Sequence, residues 1–200
     1  MNGNPIRVLA AVVALAALPP AVHAESTGHV NFFLGQKSLD SGDWDPVDEQ
    51  GEFGVVMSFG RDDWPVHIAV DLLGSTDEGE IFDTLVGEID VTGSTVEIGL
   101  GVRKIWSTKR AHPYVGGGLA LLSAEAELDS SFGDADADDD TVGGWVGGGV
   151  FWRLGQRFNI GADVRWSSGE VDLDFGGGVP VASDVEAGGF HLGLLLGFGW

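Results

Sequence analysis

The last eleven residues, FHLGLLLGFGW, place Phe190, Leu192, Leu194, Leu196, Phe198 and Trp200 at a strict two-residue period. Successive side chains of a strand point to opposite faces, so this segment reads as a β-strand with one apolar face. His191, Gly193, Leu195, Gly197 and Gly199 form the other face, which is nearly bare. The same period recurs upstream and predicts eight strands, at about 28–38, 51–60, 66–76, 93–106, 113–127, 141–154, 157–170 and 188–200.

Short gaps at 61–65, 107–112 and 155–156 alternate with long ones at 39–50, 77–92, 128–140 and 171–187. That alternation is what an up-and-down antiparallel barrel produces, with turns at one end and loops at the other. About ten residues at ~3.3 Å each, tilted by ~40°, climb about 25 Å, the height of the apolar band of an outer-membrane barrel. The expected fold class is therefore all-β: an eight-stranded up-and-down antiparallel transmembrane β-barrel over 25–200. The segments IFDTLVGEI (81–89) and EVDLDF (170–175) leave two outcomes open, strand extensions above the membrane or an extra hairpin in a ten-stranded variant.

Residues 1–24 read as a cleaved signal peptide: Arg7 precedes an apolar run from Val8 to Leu18, and AVHA supplies a small-residue site after Ala24. With no cysteine in the chain, a lipid anchor and disulfides are excluded. The net charge of -21 argues against nucleic acid as a partner.

A soluble lipocalin-like barrel would show the same period with its apolar side inward. The polar face decides between them. In strand six it reads Gly143, Trp145, Gly147, Gly149, Phe151 and Arg153, a poor solvated surface but a suitable lining for a narrow eight-stranded bore. Elsewhere this face carries Lys37, Glu52, Asp71, Glu97, Arg103, Asp163 and Arg165, which with Arg153 make four acids and four bases. Charges removed from water need such partners, so we expect an internal charge network whose pairings the sequence leaves open. Phe59, Trp64, Trp106, Trp152, Phe158, Phe198 and Trp200 all fall at the short-turn ends of strands and read as an interfacial aromatic girdle, with Trp166 and Phe53 belonging to the outer one.

The four long gaps hold 21 of the 31 acids and no Lys or Arg. A one-sided distribution of this kind projects a negative potential outward, toward divalent cations or a cationic surface partner. Asp134, Asp136 and Asp138 in GDADADDD alternate as calcium-binding carboxylates do, although the run lacks the glycine and the twelfth-position glutamate of an EF-hand loop. A solvated, self-repelling loop tip is the simpler expectation, and neither metal nor cofactor is assigned.

Four histidines remain after the signal peptide. His29 and His112 stand at strand starts with no polar constellation in view. Ser58, His67 and Asp71 face inward on neighbouring strands, on the short-turn side. Ser167 and His191 face inward near the loop end of two adjacent strands, and a serine needs a hydrogen-bonded base to act as a nucleophile. We read His191 as a histidine hydrogen-bonded within a polar lumen and assign no catalytic residue.

HPYVGGGLA at 112–120 and the final strand ending on an aromatic residue resemble the small eight-stranded outer-membrane barrels of the OmpA transmembrane-domain, OmpX and opacity-protein type. The resemblance covers the chain from about residue 28 onward. It implies the outer membrane of a Gram-negative bacterium, lipid and lipopolysaccharide as surroundings, and the barrel-assembly machinery as reader of the last strand. Those families usually end in Phe, where this chain has Trp200. The histidine-serine motif of outer-membrane lipid A deacylases is not seen. The expected role is that of a monomeric, non-enzymatic barrel with a plugged polar lumen and acidic extracellular loops, acting in envelope integrity or in surface binding and adhesion. The alternatives are an outer-membrane lipid-modifying enzyme or a narrow cation-preferring channel.

Overall fold

A computed structural model describes residues 26–61, 63–83, 87–108, 110–130, 133–175 and 182–200. The signal peptide expected at 1–24 lies outside them. The elements in chain order are β1 (Ser26–Ser38), α1 (Ser41–Trp44), β2 (Glu49–Arg61), β3 (His67–Asp83), β4 (Gly87–Ile105), β5 (Ala111–Ser130), β6 (Gly133–Leu154), β7 (Phe158–Ser168), β8 (Glu170–Leu173), β9 (Ala182–Glu186) and β10 (Gly189–Gly199). Eight strands close a barrel in the order β1-β10-β7-β6-β5-β4-β3-β2, with every pairing antiparallel. Strands β8 and β9 pair only with each other, so the fold is the expected eight-stranded barrel.

Apolar side chains that face outward set the register. Phe32 lies opposite Leu196 and Val55, and Leu34 lies opposite Leu194 and Phe53. A one-residue slip would turn the glycine face outward along a whole strand, so the pattern admits one pairing. The resulting outer band is bare of protein: Leu34 is 70% exposed, Leu119 66% and Leu194 63%. An apolar surface of this extent is stable against lipid and not against water. At the short-turn end the barrel closes with Gly28 and Trp200 exchanging backbone hydrogen bonds at 3.3 and 3.1 Å. There Gly155, at φ +68°, takes the left-handed conformation that the tight β6–β7 turn requires.

Two gaps expected as loops are strands. Residues 77–83 and 87–92 continue β3 and β4, and 128–130 and 133–140 continue β5 and β6, giving strands of 17, 19, 20 and 22 residues. At ~3.3 Å per residue, β6 is about 70 Å long, roughly twice what a membrane crossing needs. The acids hid the signal, because Val91 and Ala137 keep the two-residue period running through them on the inward face. The segments 81–83 and 87–89 are thus extensions of the barrel wall, whereas 170–173 belongs to a separate hairpin.

The extended wall encloses a second core. Leu39, Trp44 and Val47 from the β1–β2 connection pack with Val91, Ala124, Ala126 and Ala137 of the wall and with Val171, Leu173, Val185 and Ala187 of the hairpin. The short helix α1 is capped by Asp40, whose carboxylate accepts from the Gly42 N–H at 2.7 Å. It presents Trp44, whose indole N–H donates to the Glu186 carbonyl at 2.9 Å. The loop end of the barrel therefore carries a packed apolar roof.

Candidate functional site

Eight strands leave a bore just wide enough for side chains, and its middle is filled by a chain of ion pairs. Arg103 Nη2 meets Asp71 Oδ2 at 2.8 Å, Arg165 meets the same oxygen, and Arg165 Nη1 reaches Glu97 Oε1 at 3.2 Å. All four are buried. Trp145 lies beside them, with the Arg165 guanidinium 4.4 Å and that of Arg103 5.7 Å from its ring centre. Glycine makes this possible: a Cβ on Gly99 or Gly116 would sit 3.1 Å from the Trp145 ring system.

The other four residues of the expected charge network do not join this chain. Asp163 accepts a hydrogen bond from the Tyr114 hydroxyl. Lys37 donates to Thr95 Oγ1 at 2.7 Å and to the Ala187 carbonyl at 2.8 Å. Arg153 stands at the short-turn end, beside Gly199. Glu52 pairs with His191, which was outside the expected network: Glu52 Oε1 lies 2.8 Å from His191 Nδ1. On the far side of that imidazole, Nε2 lies 2.9 Å from Ser167 Oγ and 3.6 Å from Glu97 Oε2. Above them, Ser75 bridges Gln50 Oε1 at 2.6 Å and Thr95 Oγ1 at 2.7 Å.

Toward the turns, Ser58 accepts from Arg103 at 2.9 Å, and the same guanidinium donates to Asp71. His29 is a correction to the sequence reading. Its Nδ1 lies 3.3 Å from the Asn159 amide nitrogen, which also donates to Asn31 at 3.1 Å. His112 stacks on Phe151 at 4.9 Å. Tyr114, Thr95, Ser75 and Gln50 were missed as lumen residues, whereas Trp145 lies on the inward face where the sequence placed it. The inward period carried through β2, β3, β4 and β5 would have found all four.

The aromatic residues expected at the membrane boundary sit around the turn end. Trp64, Trp106, Trp152, Phe158 and Phe198 are exposed, Phe158 and Phe198 meet edge-on at 5.8 Å, and Phe59 lies 6.3 Å from Trp200.

On the outside of the extended wall, acids align across strands. Glu80 lies opposite Asp90, and Asp90 opposite Asp129. In the next rows Glu127 pairs with Asp136 and Glu125 with Asp138. Neighbouring strands stand ~4.8 Å apart, and like charges directly opposite one another repel. Partial burial, with Glu127, Asp138 and Asp136 close by, pushes the Glu125 carboxyl above the usual carboxylate range. Backbone N–H groups of Asp172 and Asp140 hold Asp139 below it. Asp136 and Asp138 point outward and are exposed, the Asp134 side chain lies outside the described set, and no three such ligands converge on a metal among the described residues.

No family model matches the sequence, and no curated protein matches it. Among solved structures, the outer membrane protein OprG from Pseudomonas aeruginosa superposes with a TM-score of 0.60 at 12% identity, over 89% of this chain and 97% of that one. Ail, the attachment invasion locus protein of Yersinia pestis, in complex with the heparin analogue sucrose octasulfate, gives 0.54 at 16% identity, over 90% of this chain and 100% of its own. The chain shares the fold of the small eight-stranded outer-membrane barrels.

Proposed function

We propose that the chain resides in the outer membrane of a Gram-negative cell and acts as a monomeric surface-binding protein, holding an acidic sheet above the bilayer to engage cationic partners. The alignment of carboxylates in register across β3 to β6 is the observation that carries this reading. A self-repelling array on a regular sheet is relieved by binding positive charge, whether divalent cations or a basic protein surface. The exposed apolar band supports residence among lipid and lipopolysaccharide. The Ail structure holds a polyanion; an acidic wall such as this one favours ligands of opposite sign.

The test is binding of the refolded chain, in nanodiscs containing lipopolysaccharide, to poly-lysine and to heparin at low and high salt. We expect salt-sensitive binding to poly-lysine only, weakened tenfold or more by Glu125→Gln, Glu127→Gln, Asp136→Asn and Asp138→Asn combined. Equal binding by the substituted chain would overturn the reading. The buried ion pairs favour a plugged lumen over a cation channel, and near-zero planar-bilayer conductance is the expected result.

A further inference from the structure

We propose that Ser167, His191 and Glu52 form a nucleophile relay beneath the roof of the barrel, built for acyl transfer from an ester with an apolar chain. The three come from β7, β10 and β2, which barrel closure brings together across 139 residues of sequence between Glu52 and His191. Nδ1–H of His191 donates to Glu52 at 2.8 Å, which fixes the tautomer and leaves the Nε2 lone pair to accept the Ser167 hydroxyl at 2.9 Å. These are the two contacts that activate a serine, nucleophile to base and base to orienting carboxylate.

The surroundings suit the charge that would develop. When Ser167 gives its proton to Nε2, the imidazolium lies between Glu52 and Glu97, the latter 3.6 Å from Nε2 and held through its other oxygen by Arg165. Lys37 stands opposite His191 in the β1–β10 register, and its ammonium, which donates to Thr95 and to the Ala187 carbonyl, keeps one N–H for an oxyanion. The roof above is apolar, through Leu39, Val171, Leu173 and Ala187.

The reaction balances without a cofactor. Ser167 Oγ attacks the ester carbonyl as its proton passes to His191. The tetrahedral adduct collapses, and His191 returns that proton to the leaving alkoxide, giving alcohol and acyl-Ser167. Water, deprotonated by His191, then releases the carboxylic acid and restores the serine.

Ser167 is 1% exposed, so access requires the roof to loosen. Its base is pinned by Glu186, whose carboxylate accepts from the Gly169 N–H at 2.6 Å, the Gly188 N–H at 3.0 Å and the Ser168 hydroxyl at 3.1 Å. Glu186→Ala removes the pin without touching the relay.

The experiment treats the refolded barrel, in detergent micelles, with a long-chain alkyl fluorophosphonate and maps the adduct by mass spectrometry, with heat-modifiable mobility as the check on folding. The expected result is an adduct on Ser167 that forms at least tenfold faster in Glu186→Ala. Ser167→Ala and His191→Asn should abolish it. As a positioning residue, Glu52 should slow labelling tenfold or more as Glu52→Gln, with Glu52→Asp recovering part of the rate. Should His191→Asn fail to fold, comparison of the folded chain with Ser167→Ala and Glu52→Gln decides alone. Absence of an adduct in both the parent chain and a folded Glu186→Ala would overturn the proposal and leave the trio a structural tie.

Discussion

The Lys37 ammonium donates to the Ala187 carbonyl at 2.8 Å, joining the bore of the barrel to the root of the β8–β9 hairpin across 150 residues of sequence. Its second bond, to Thr95 Oγ1, ties the same cation to the opposite wall. The roof is thus held from below by a buried charge as well as by its own apolar contacts.

Lys37→Met keeps the apolar stem and removes that cation. Hydrogen bonds to a charged group contribute roughly 1.5–3 kcal/mol, and their acceptors stay buried after the substitution. We expect a loss of about 2–3 kcal/mol in urea unfolding of the refolded barrel, with faster amide exchange at 185–189 than elsewhere. Unchanged exchange there would show that the apolar contacts hold the roof alone.

Asp71 is the hub of the ion chain, since Arg103 and Arg165 share its Oδ2. Asp71→Asn leaves two guanidinium groups buried with one carboxylate fewer, and breaking a buried pair costs about 3–5 kcal/mol. Glu97→Gln should be milder, because Arg165 keeps Asp71. Equal losses in the two variants would show that the chain does not act through its hub.

The fold was legible because one face of every strand is apolar and the other is small or charged, as in Leu192 to Phe198 against Gly193 to Gly199. Strand length was not, because Asp129, Asp136 and Asp138 read as loop residues while Ala137 carried the period behind them. Half of the expected charge network, Asp71, Glu97, Arg103 and Arg165, followed from the same alternation. Its pairings did not, since Glu52 meets His191 only through closure of the barrel, and neither residue's neighbours in sequence report on that contact. The roof was invisible for the same reason: Trp44 and Val185 pack together from connections that are remote along the chain.

Glycines of the bore and of the lipid face should respond oppositely to alanine. A Cβ on Gly149 would lie 2.3 Å from the Ala162 carbonyl oxygen and 2.6 Å from the Tyr114 hydroxyl, displacing the partner of Asp163. A Cβ on Gly144 meets only the Gly118 carbonyl oxygen, at an ordinary 3.5 Å. Gly149→Ala should destabilise by about 1–3 kcal/mol through overpacking, while Gly144→Ala stays neutral or gains up to ~1 kcal/mol from the restricted unfolded chain. Unfolding midpoints of the two variants decide it.

The acidic wall should tighten on mild acidification. Glu125 has a carboxyl raised in the folded state, by partial burial first and then by Glu127, Asp138 and Asp136. A raised acid binds its proton more readily when folded, so its stabilising contribution is full below the unfolded carboxyl value and is lost as pH rises through the folded one. Protection of amides in the extensions of β5 and β6, relative to the unfolded chain at the same pH, should therefore rise as pH falls from neutral toward the unfolded carboxyl value. Added salt at neutral pH should act in the same direction by screening the rows, and Glu125→Gln should flatten the response. Asp139 sets the lower bound of this window. Its carboxyl is depressed by backbone N–H groups of Asp172 and Asp140, so what it contributes is present above the unfolded value and lost as pH falls through the folded one. The gain should then reverse under stronger acid, first where β8 meets β6, and a protection profile that rises monotonically down to strong acid would contradict this account.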